Sequence, residues 1–227
     1  MARAPKIGLL PLYLKLYDDV TPERRAEFEP FLAEIVDGFR RRGIDVIEAG
    51  VCRVQPEFER AVDHLESAAA DLLVTIHLAY SPSLESVGAL TDSELPILIL
   101  DTTMDAAFGK DVDAARIMYN HGIHGVQDLA CMLRRLGKPY QIVAGHLRSS
   151  DILDRAADIA RGAYAARCLA DTRALRIGPT FAGMGDFAVE EDLLESQLGI
   201  TVDELTREDL EEAAGAVPEA AVKAEMA

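Results

Sequence analysis

The sequence predicts an α/β protein built on a doubly wound parallel sheet. Short apolar segments alternate with longer amphipathic segments along most of the 227 residues, as in strands that are joined by crossover helices. The apolar segments are continuous, which is typical of parallel strands buried on both faces. A content of 49% hydrophobic and 27% charged residues agrees with a globular protein of this class.

The first half of the chain predicts four strands. "KIGLLPLYL" (6–14) is the first strand. Thr21 and Pro22 then suit the N-cap and the first position of a helix. Its apolar residues recur at helical spacing as far as Phe39, and the helix should end at Gly43. The segments that follow predict a strand at 44–51, a helix at 57–68, and strands at 71–78 and 96–103.

The second half predicts two further strands and a domain boundary. A helix at 126–136, a strand at 140–146, a long helix at 149–171 and a strand at 174–178 continue a Rossmann-like pattern. We expect residues 1–171 to form an N-terminal α/β domain. Residues 172–227 are expected to be the incomplete start of a second α/β domain, with one strand and two short acidic helices, since so few residues rarely hold a core unaided.

Charge and cysteine content limit the classes of partner. A net charge of −16 argues against nucleic-acid binding, which needs a basic surface. No apolar run approaches the roughly 20 residues that cross a membrane. Cys52, Cys131 and Cys168 are odd in number and far apart, so we expect reduced, mostly buried thiols in a cytoplasmic protein.

Nucleotide cofactors are disfavoured by the turn after the first strand. A dinucleotide-binding loop needs glycines there, because the backbone must approach the pyrophosphate closely. The turn reads "PLYLKLYDDVTPE" (11–23) and contains no glycine, and the chain has no Walker P-loop.

Polar residues follow several predicted strands, at the edge of a parallel sheet where ligands bind. Each has the alternative of capping the next helix, a role that would suit Asp101 or Thr102. These strand-end residues are Tyr13, Lys15, His77, Tyr80, Asp101, Thr102, Thr103 and His146.

"MYNHGIHGVQD" (118–128) places His121 and His124 three residues apart. Gly122 and Gly125 favour a loop, in which the two imidazoles would not share a helix face, and no His-Glu-x-x-His motif completes a metal site. A neutral imidazole can donate and accept a hydrogen bond, which suits a sugar hydroxyl. Capping of the following helix by His124 remains equally open from these residues alone.

"GPTFAGMGDF" (178–187) is a second stretch that suggests function. Its glycines and proline predict a shaped loop, in which Met184 and two phenylalanines would make apolar contacts. A loop that merely packs against the first domain would have the same composition.

Three stretches together resemble the L-arabinose/L-fucose isomerase family. They are "KIGLLPLYLKLYD" (6–18), "NHGIHGVQDLACMLRRLGKPYQIVAGH" (120–146) and "RIGPTFAGMGDFAVEEDLLESQLGI" (176–200). The resemblance covers nearly the whole chain, and its middle stretch is the most specific part. The first strand departs from the pattern of the arabinose isomerases.

The resemblance implies an aldose–ketose isomerase that uses a divalent metal, usually Mn²⁺. In the family, carboxylates and histidine hold the metal, which polarises the substrate oxygens while a proton moves through an enediol. Those ligands lie in later parts of the family's fold, so the resemblance implies no catalytic or metal-ligating residue here. We therefore expect an N-terminal portion, with the start of the middle domain, that is inactive alone.

The resemblance also implies a sugar clamp. In the family, the first domain of one subunit closes over its neighbour's active site, which predicts a homo-oligomer, a trimer or hexamer, or pairing with a catalytic C-terminal half. His124 matches the family's histidine, His121 the preceding contact position, and Met184 the apolar contact of the middle-domain loop. Tyr13 lies near the first-strand contact.

Two interpretations from other classes remain open. A stand-alone sugar-binding or regulatory module would bind a pentose without metal. A non-catalytic subunit that pairs with a separate catalytic half would expose an apolar patch near residues 172–200.

Overall fold

The structure is a computed structural model that describes residues 3–178, 181–185 and 189–226. The chain divides into two compact units, one ending at Tyr164 and the other beginning at Ala165. Within the described ranges, no helix is both long enough and apolar enough to cross a membrane.

The first unit alternates strands with helices as the sequence predicts, except that the helices at Lys15–Val20 and Ser83–Asp92 were not predicted. Its strands are β1 (Lys6–Leu12), β2 (Asp45–Glu48), β3 (Leu72–His77), β4 (Ile97–Asp101) and β5 (Tyr140–Ala144). Its helices are α1 (Lys15–Val20), α2 (Glu29–Arg40), α3 (Gln55–Ser67), α4 (Ser83–Asp92), α5 (Gly122–Arg135) and most of α6 (Ile152–Ala170), with 3-10 helices at Pro22–Phe28 and Ala114–Tyr119.

The five strands form one parallel sheet in the order β2-β1-β3-β4-β5. Ile7 is in register with Val46 of β2 and with Leu72 of β3. The chain therefore moves outward from β1 in both directions, and the strand order reverses between β1 and β3. In such sheets a crevice opens at this point, beyond the carboxyl ends of the strands.

Helices cover both faces of the sheet, so the predicted doubly wound α/β class is confirmed. On one face α2 and α6 pack against alternate strand residues such as Ile7 and Val74. On the other face α3, α4 and α5 pack against the intervening residues, such as Leu10 and Leu73. Burial on both sides explains why the strands are continuous apolar runs.

The region between β1 and β2 differs from the single predicted helix. Thr21 precedes a 3-10 helix, its side chain makes no capping bond there, and α-helical geometry begins only at Glu29. The Thr21 hydroxyl instead donates to the Tyr17 carbonyl at 3.2 Å, because an unexpected helix, α1, precedes it. The predicted end near Gly43 agrees with that residue's φ of 73°.

The second unit is a small parallel βαβ arrangement. It contains β6 (Arg173–Ile177), α7 (Glu191–Leu198), β7 (Thr201–Leu205), α8 (Arg207–Gly215) and α9 (Glu219–Glu225). The prediction of one strand and two helices was wrong, because β7 and α9 are also present. The acidic residues of "TVDEL" hid a strand whose Asp203 and Glu204 pair with Arg173 and Arg176 of β6.

Apolar side chains of the second unit lie at its surface. None of its described residues is buried. Leu175 and Ile177, on one face of β6, are 59% and 60% exposed. A two-stranded sheet needs a further packed layer for independent stability, so this unit has little core of its own.

The expectation of mostly buried cysteines was wrong. Cys52 is buried, whereas Cys131 and Cys168 are exposed, and all three are free thiols. Cys131 lies on the outer side of α5, since its neighbours Leu129 and Leu133 fill the inner side.

Candidate functional site

Tyrosines from β1 and β3 approach one another where the strand order reverses. Tyr17 lies on α1, just after β1, and Tyr80 follows β3. Burial raises the pKa of the Tyr17 phenol, and the neighbouring Tyr80 raises it further. Both side chains are only partly buried, so solvent can reach phenols near the carboxyl ends of β1 and β3.

The histidine pair lies beside these tyrosines. The Tyr17 hydroxyl lies 3.0 Å from Nε2 of His121, across 104 residues of sequence. The Tyr17 and His121 rings lie 6.0 Å apart between centroids, and those of His121 and His124 lie 6.3 Å apart. The ends of β1 and β3, helix α1 and the start of α5 therefore come together. We call the side chains that meet there the aromatic–imidazole cluster: Tyr13, Tyr17, Tyr80, His121 and His124.

The prediction that Gly122 and Gly125 belong to a loop was wrong. Both lie in the first turns of α5 and are buried. A Cβ on Gly122 would meet the His77 carbonyl oxygen at 2.6 Å, and one on Gly125 would meet Cδ2 of His77 at 2.4 Å. The glycines thus serve close packing of α5 onto the end of β3, a role that sequence alone does not separate from chain flexibility.

The hypothesis that His124 caps the helix was also wrong. His121 occupies the N-cap position of α5 and makes no side-chain capping bond, and His124 lies within the first turn. His124 is exposed. Its imidazole is therefore accessible to a ligand at the open side of the cluster.

Tyr13 is the fully buried member of the cluster. Its ring is 0% exposed and packs edge-on against Tyr17 and Phe28. Burial, followed by the nearby Asp18 carboxylate, raises its pKa to about 12. Its hydroxyl has no hydrogen-bond partner among the described residues. In this structure Tyr13 supports Tyr17, and Tyr17 is the phenol that faces His121.

His77 is a second deeply buried ionisable group at this edge. It is 3% exposed, and neither ring nitrogen has a partner within the described part of the chain. Burial lowers its pKa to about 4, although the Asp128 carboxylate acts in the opposite direction. His77 therefore stays neutral under α5. The hydroxyls of Thr75 and Ser81 are buried and equally unpartnered among described residues.

A polar network holds the segment that leads into α5. Arg116 donates two bonds of 2.9 Å to the Asp105 carboxylate, which holds the pKa of Asp105 below its usual range. The Asn120 amide donates to Asp105 at 2.7 Å and accepts from the Asp105 backbone N–H at 3.0 Å. Asn120, the residue before His121, is thereby held by hydrogen bonds at both the nitrogen and the oxygen of its side-chain amide.

A second network holds α1. Asp18 accepts bonds from Arg25 at 2.8 Å and from Arg53 at 2.6 Å. Its side chain is only 11% exposed, so these ion pairs are partly shielded from water and fasten α1 to the loop after β2.

The remaining strand-end residues that the sequence predicts are not members of the aromatic–imidazole cluster. Lys15 is exposed and pairs with Asp19 at 2.7 Å. Asp101 ends β4, and burial raises its pKa. Thr102 is buried, Thr103 donates to the Asp105 carbonyl at 2.8 Å, and Nε2 of His146 lies 3.5 Å from the Met104 carbonyl oxygen.

Met184 belongs to the second unit. It is 42% exposed, and its backbone N–H bonds to the Phe181 carbonyl at 3.3 Å. Residues 179, 180, 186 and 187 of the same predicted loop lie outside the described residues.

The two histidines do not fit a metal site as they stand. Both ring nitrogens of His121 already have partners, the Tyr17 hydroxyl and the Ile117 carbonyl. Among the described residues, no three histidine, cysteine, aspartate or glutamate side chains are grouped so that they could hold a metal ion.

Sequence reasoning missed Tyr17, which connects the cluster. No local pattern marks it, because Tyr13 precedes α1 and the partner of Tyr17, His121, lies 104 residues away.

The comparisons with known proteins leave the family open. A scan against protein-family models finds no match, and a search of curated proteins finds no relative. Nothing in them identifies the arabinose/fucose isomerase family, so that resemblance rests on the residues of this sequence.

Proposed function

We propose that the first unit binds a small polyhydroxylated ligand, a sugar, at the aromatic–imidazole cluster. The observation that carries the proposal is the hydrogen bond between Tyr17 and His121, which brings the β1–β3 crevice and the histidine pair together. Crevices at this position are the usual ligand sites of open parallel sheets.

The chemistry of the cluster suits a sugar. The faces of Tyr17 and Tyr80 offer apolar surface for the C–H side of a ring, while phenol and imidazole groups donate and accept hydrogen bonds with hydroxyls. Exposed His124 offers two ring nitrogens that make no hydrogen bond within the described structure. These groups are arranged for orientation of a neutral polyol rather than for attack on it.

In this proposal the chain acts as the N-terminal portion of an aldose–ketose isomerase of the L-arabinose/L-fucose type. Its first unit contributes sugar contacts and subunit packing in a cytoplasmic oligomer. Mn²⁺, which the resemblance implies, would be held by residues other than those described here. The support is the resemblance of residues 120–146 together with the place of His121 and His124 in the cluster.

A second candidate is a non-catalytic subunit that pairs with a separate catalytic half. The observation that favours it is the exposure of Leu175 and Ile177, in the region where this interpretation expects an apolar patch. A stand-alone sugar-binding module is the third, and it requires micromolar affinity, about −8 kcal/mol.

Sugar binding is tested by titrating pentoses and deoxyhexoses into the purified chain while the histidine ring signals are followed by NMR. We expect the His124 signals to shift in a saturable way without added metal. His124→Gln should lose the binding, and His64→Gln, a change at an exposed position on α3, should keep it. Absence of any shift at the highest soluble sugar concentration would refute the proposal.

The isomerase part has its own assay. The purified chain, incubated with Mn²⁺ and each sugar, should form no ketose, because the proposal places the metal ligands elsewhere. Turnover that exceeds the metal-only control would contradict this. Sedimentation velocity then separates a homo-oligomer from a monomer that awaits a partner.

A further inference from the structure

The partners of His121 define which of its ring nitrogens carries the proton. Nδ1 lies 2.7 Å from the Ile117 carbonyl oxygen, and Nε2 lies 3.0 Å from the Tyr17 hydroxyl. A carbonyl oxygen only accepts, so Nδ1 must be the protonated nitrogen. In the neutral ring Nε2 then accepts, and the Tyr17 hydroxyl donates to it.

This arrangement leaves neutral His121 with no free ring nitrogen. A ligand hydroxyl could bond Nε2 only by displacing Tyr17, and Nδ1 only by displacing the Ile117 carbonyl. His124 lies one turn further into α5, is exposed, and makes no hydrogen bond within the described structure. The two histidines therefore have different chemistry, although their rings lie 6.3 Å apart.

We infer that Tyr17 and His121 form a positioning pair that fastens α1 to the first turn of α5, and that His124 is the histidine that contacts the ligand. The inference rests on the proposed sugar site. It assigns distinct roles to two residues that sequence reasoning treated as equivalent contacts.

The geometry around the pair supports a fastening role. Helix α1 has no fully buried residue. Besides the packing of the Tyr17 ring on Tyr13, side-chain bonds attach it. These are the ion pairs of Asp18 with Arg53 at 2.6 Å and Arg25 at 2.8 Å, and the Tyr17–His121 hydrogen bond. Removing the Tyr17 hydroxyl should free one end of α1 while the ring still packs against Tyr13.

Two measurements need no ligand. Nitrogen-15 NMR of the five histidines, assigned by single His→Gln variants, should show His121 protonated at Nδ1, whereas a free neutral imidazole prefers Nε2–H. Tyr17→Phe should move the His121 Nε2 signal and speed amide exchange in α1 by roughly three- to tenfold, as loss of one hydrogen bond predicts. Tyr140→Phe, in β5, is the matched control and should change neither.

Sugar titration then tests the division of roles. We expect a pentose to shift His124 strongly and His121 weakly, and His124→Gln to weaken binding more than His121→Gln does. A main Nε2–H tautomer at His121, unchanged α1 exchange in Tyr17→Phe, or equal shifts at both histidines would overturn the inference. If the chain binds no pentose, yet His121 is the Nδ1–H tautomer and amide exchange in α1 of Tyr17→Phe is faster, the proposed function is wrong and the Tyr17–His121 positioning pair is supported.

Discussion

Acidification should destabilise the first unit through His77. Its imidazole is 3% exposed beneath α5, and burial lowers its pKa from 6.5 to about 4. The unfolded chain thus binds the proton more tightly than the folded chain. Stability is unaffected above pH 6.5, falls as the pH drops below it, and reaches its full loss below pH 4.

The size of the effect follows from the two pKa values. A difference of 2.5 between 6.5 and about 4 corresponds to about 3 kcal/mol once His77 is protonated in both states. At pH 5 the loss is already about 2 kcal/mol. Stabilities of ordinary domains are about 5–15 kcal/mol, so this change is readily measured.

Urea unfolding between pH 7 and pH 4 provides the assay. All six tyrosines lie in the first unit, and the chain has no tryptophan, so tyrosine fluorescence reports that unit alone. His77→Phe keeps a planar ring but cannot be protonated, and its pH dependence should be weaker by the amounts above. Carboxylate protonation affects both proteins and cancels in the difference.

His64→Phe, a change at an exposed position on α3, is the matched control and should retain the slope of the parent chain. Parallel stability curves for the parent and His77→Phe would refute the reasoning, since His77 would then have similar proton affinity in the folded and unfolded states. So would a direct NMR titration in which the His77 ring protonates near pH 6.5.

Three further outcomes are expected. Gly125→Ala should lower the unfolding free energy by about 1–3 kcal/mol, because the added Cβ would meet Cδ2 of His77 at 2.4 Å. Gly88 lies in α4, and a Cβ there would have no neighbouring atom within 4 Å. Gly88→Ala should therefore raise the unfolding free energy by about 0.5–1 kcal/mol in the same urea experiment. Ultraviolet titration should show one phenol, assigned by Tyr13→Phe, that ionises only near pH 12, and ionisation of all six near pH 10 would contradict its burial. Limited proteolysis should cut within residues 165–226 before the first unit, since none of the described residues there is buried; the reverse order of cleavage would show that the second unit has a core.

The strands and most crossovers of the first unit could be predicted because their signals are local. Segments such as 72–77 are mostly apolar and are buried at every residue, as expected for parallel strands covered on both faces. Strand β7 escaped prediction because Asp203 and Glu204 interrupt its apolar character. Their partners, Arg173 and Arg176, lie about 30 residues earlier and become visible only when the strands are paired.

The candidate site was only partly predictable. His121 and His124 stand out in the sequence because histidine is scarce, with five in 227 residues. The sequence does not show that the two histidines have different roles, because the partner of His121 is Tyr17, which lies 104 residues away on an unexpected helix. The resemblance to sugar isomerases suggested a ligand class, and it remains a proposal.

By itself the sequence determined the α/β class, the order of the strands and of helices α2, α3, α5 and α6 in the first unit, and the absence of a glycine-rich phosphate loop after β1. Each depends on the types of neighbouring residues. The tertiary structure decided that the strand order reverses between β1 and β3, that Gly122 and Gly125 serve a helix packed on His77, and that Tyr17 meets His121. Those features depend on which distant segments come into contact, and that is set by packing of the whole sheet and its helices rather than by any local pattern.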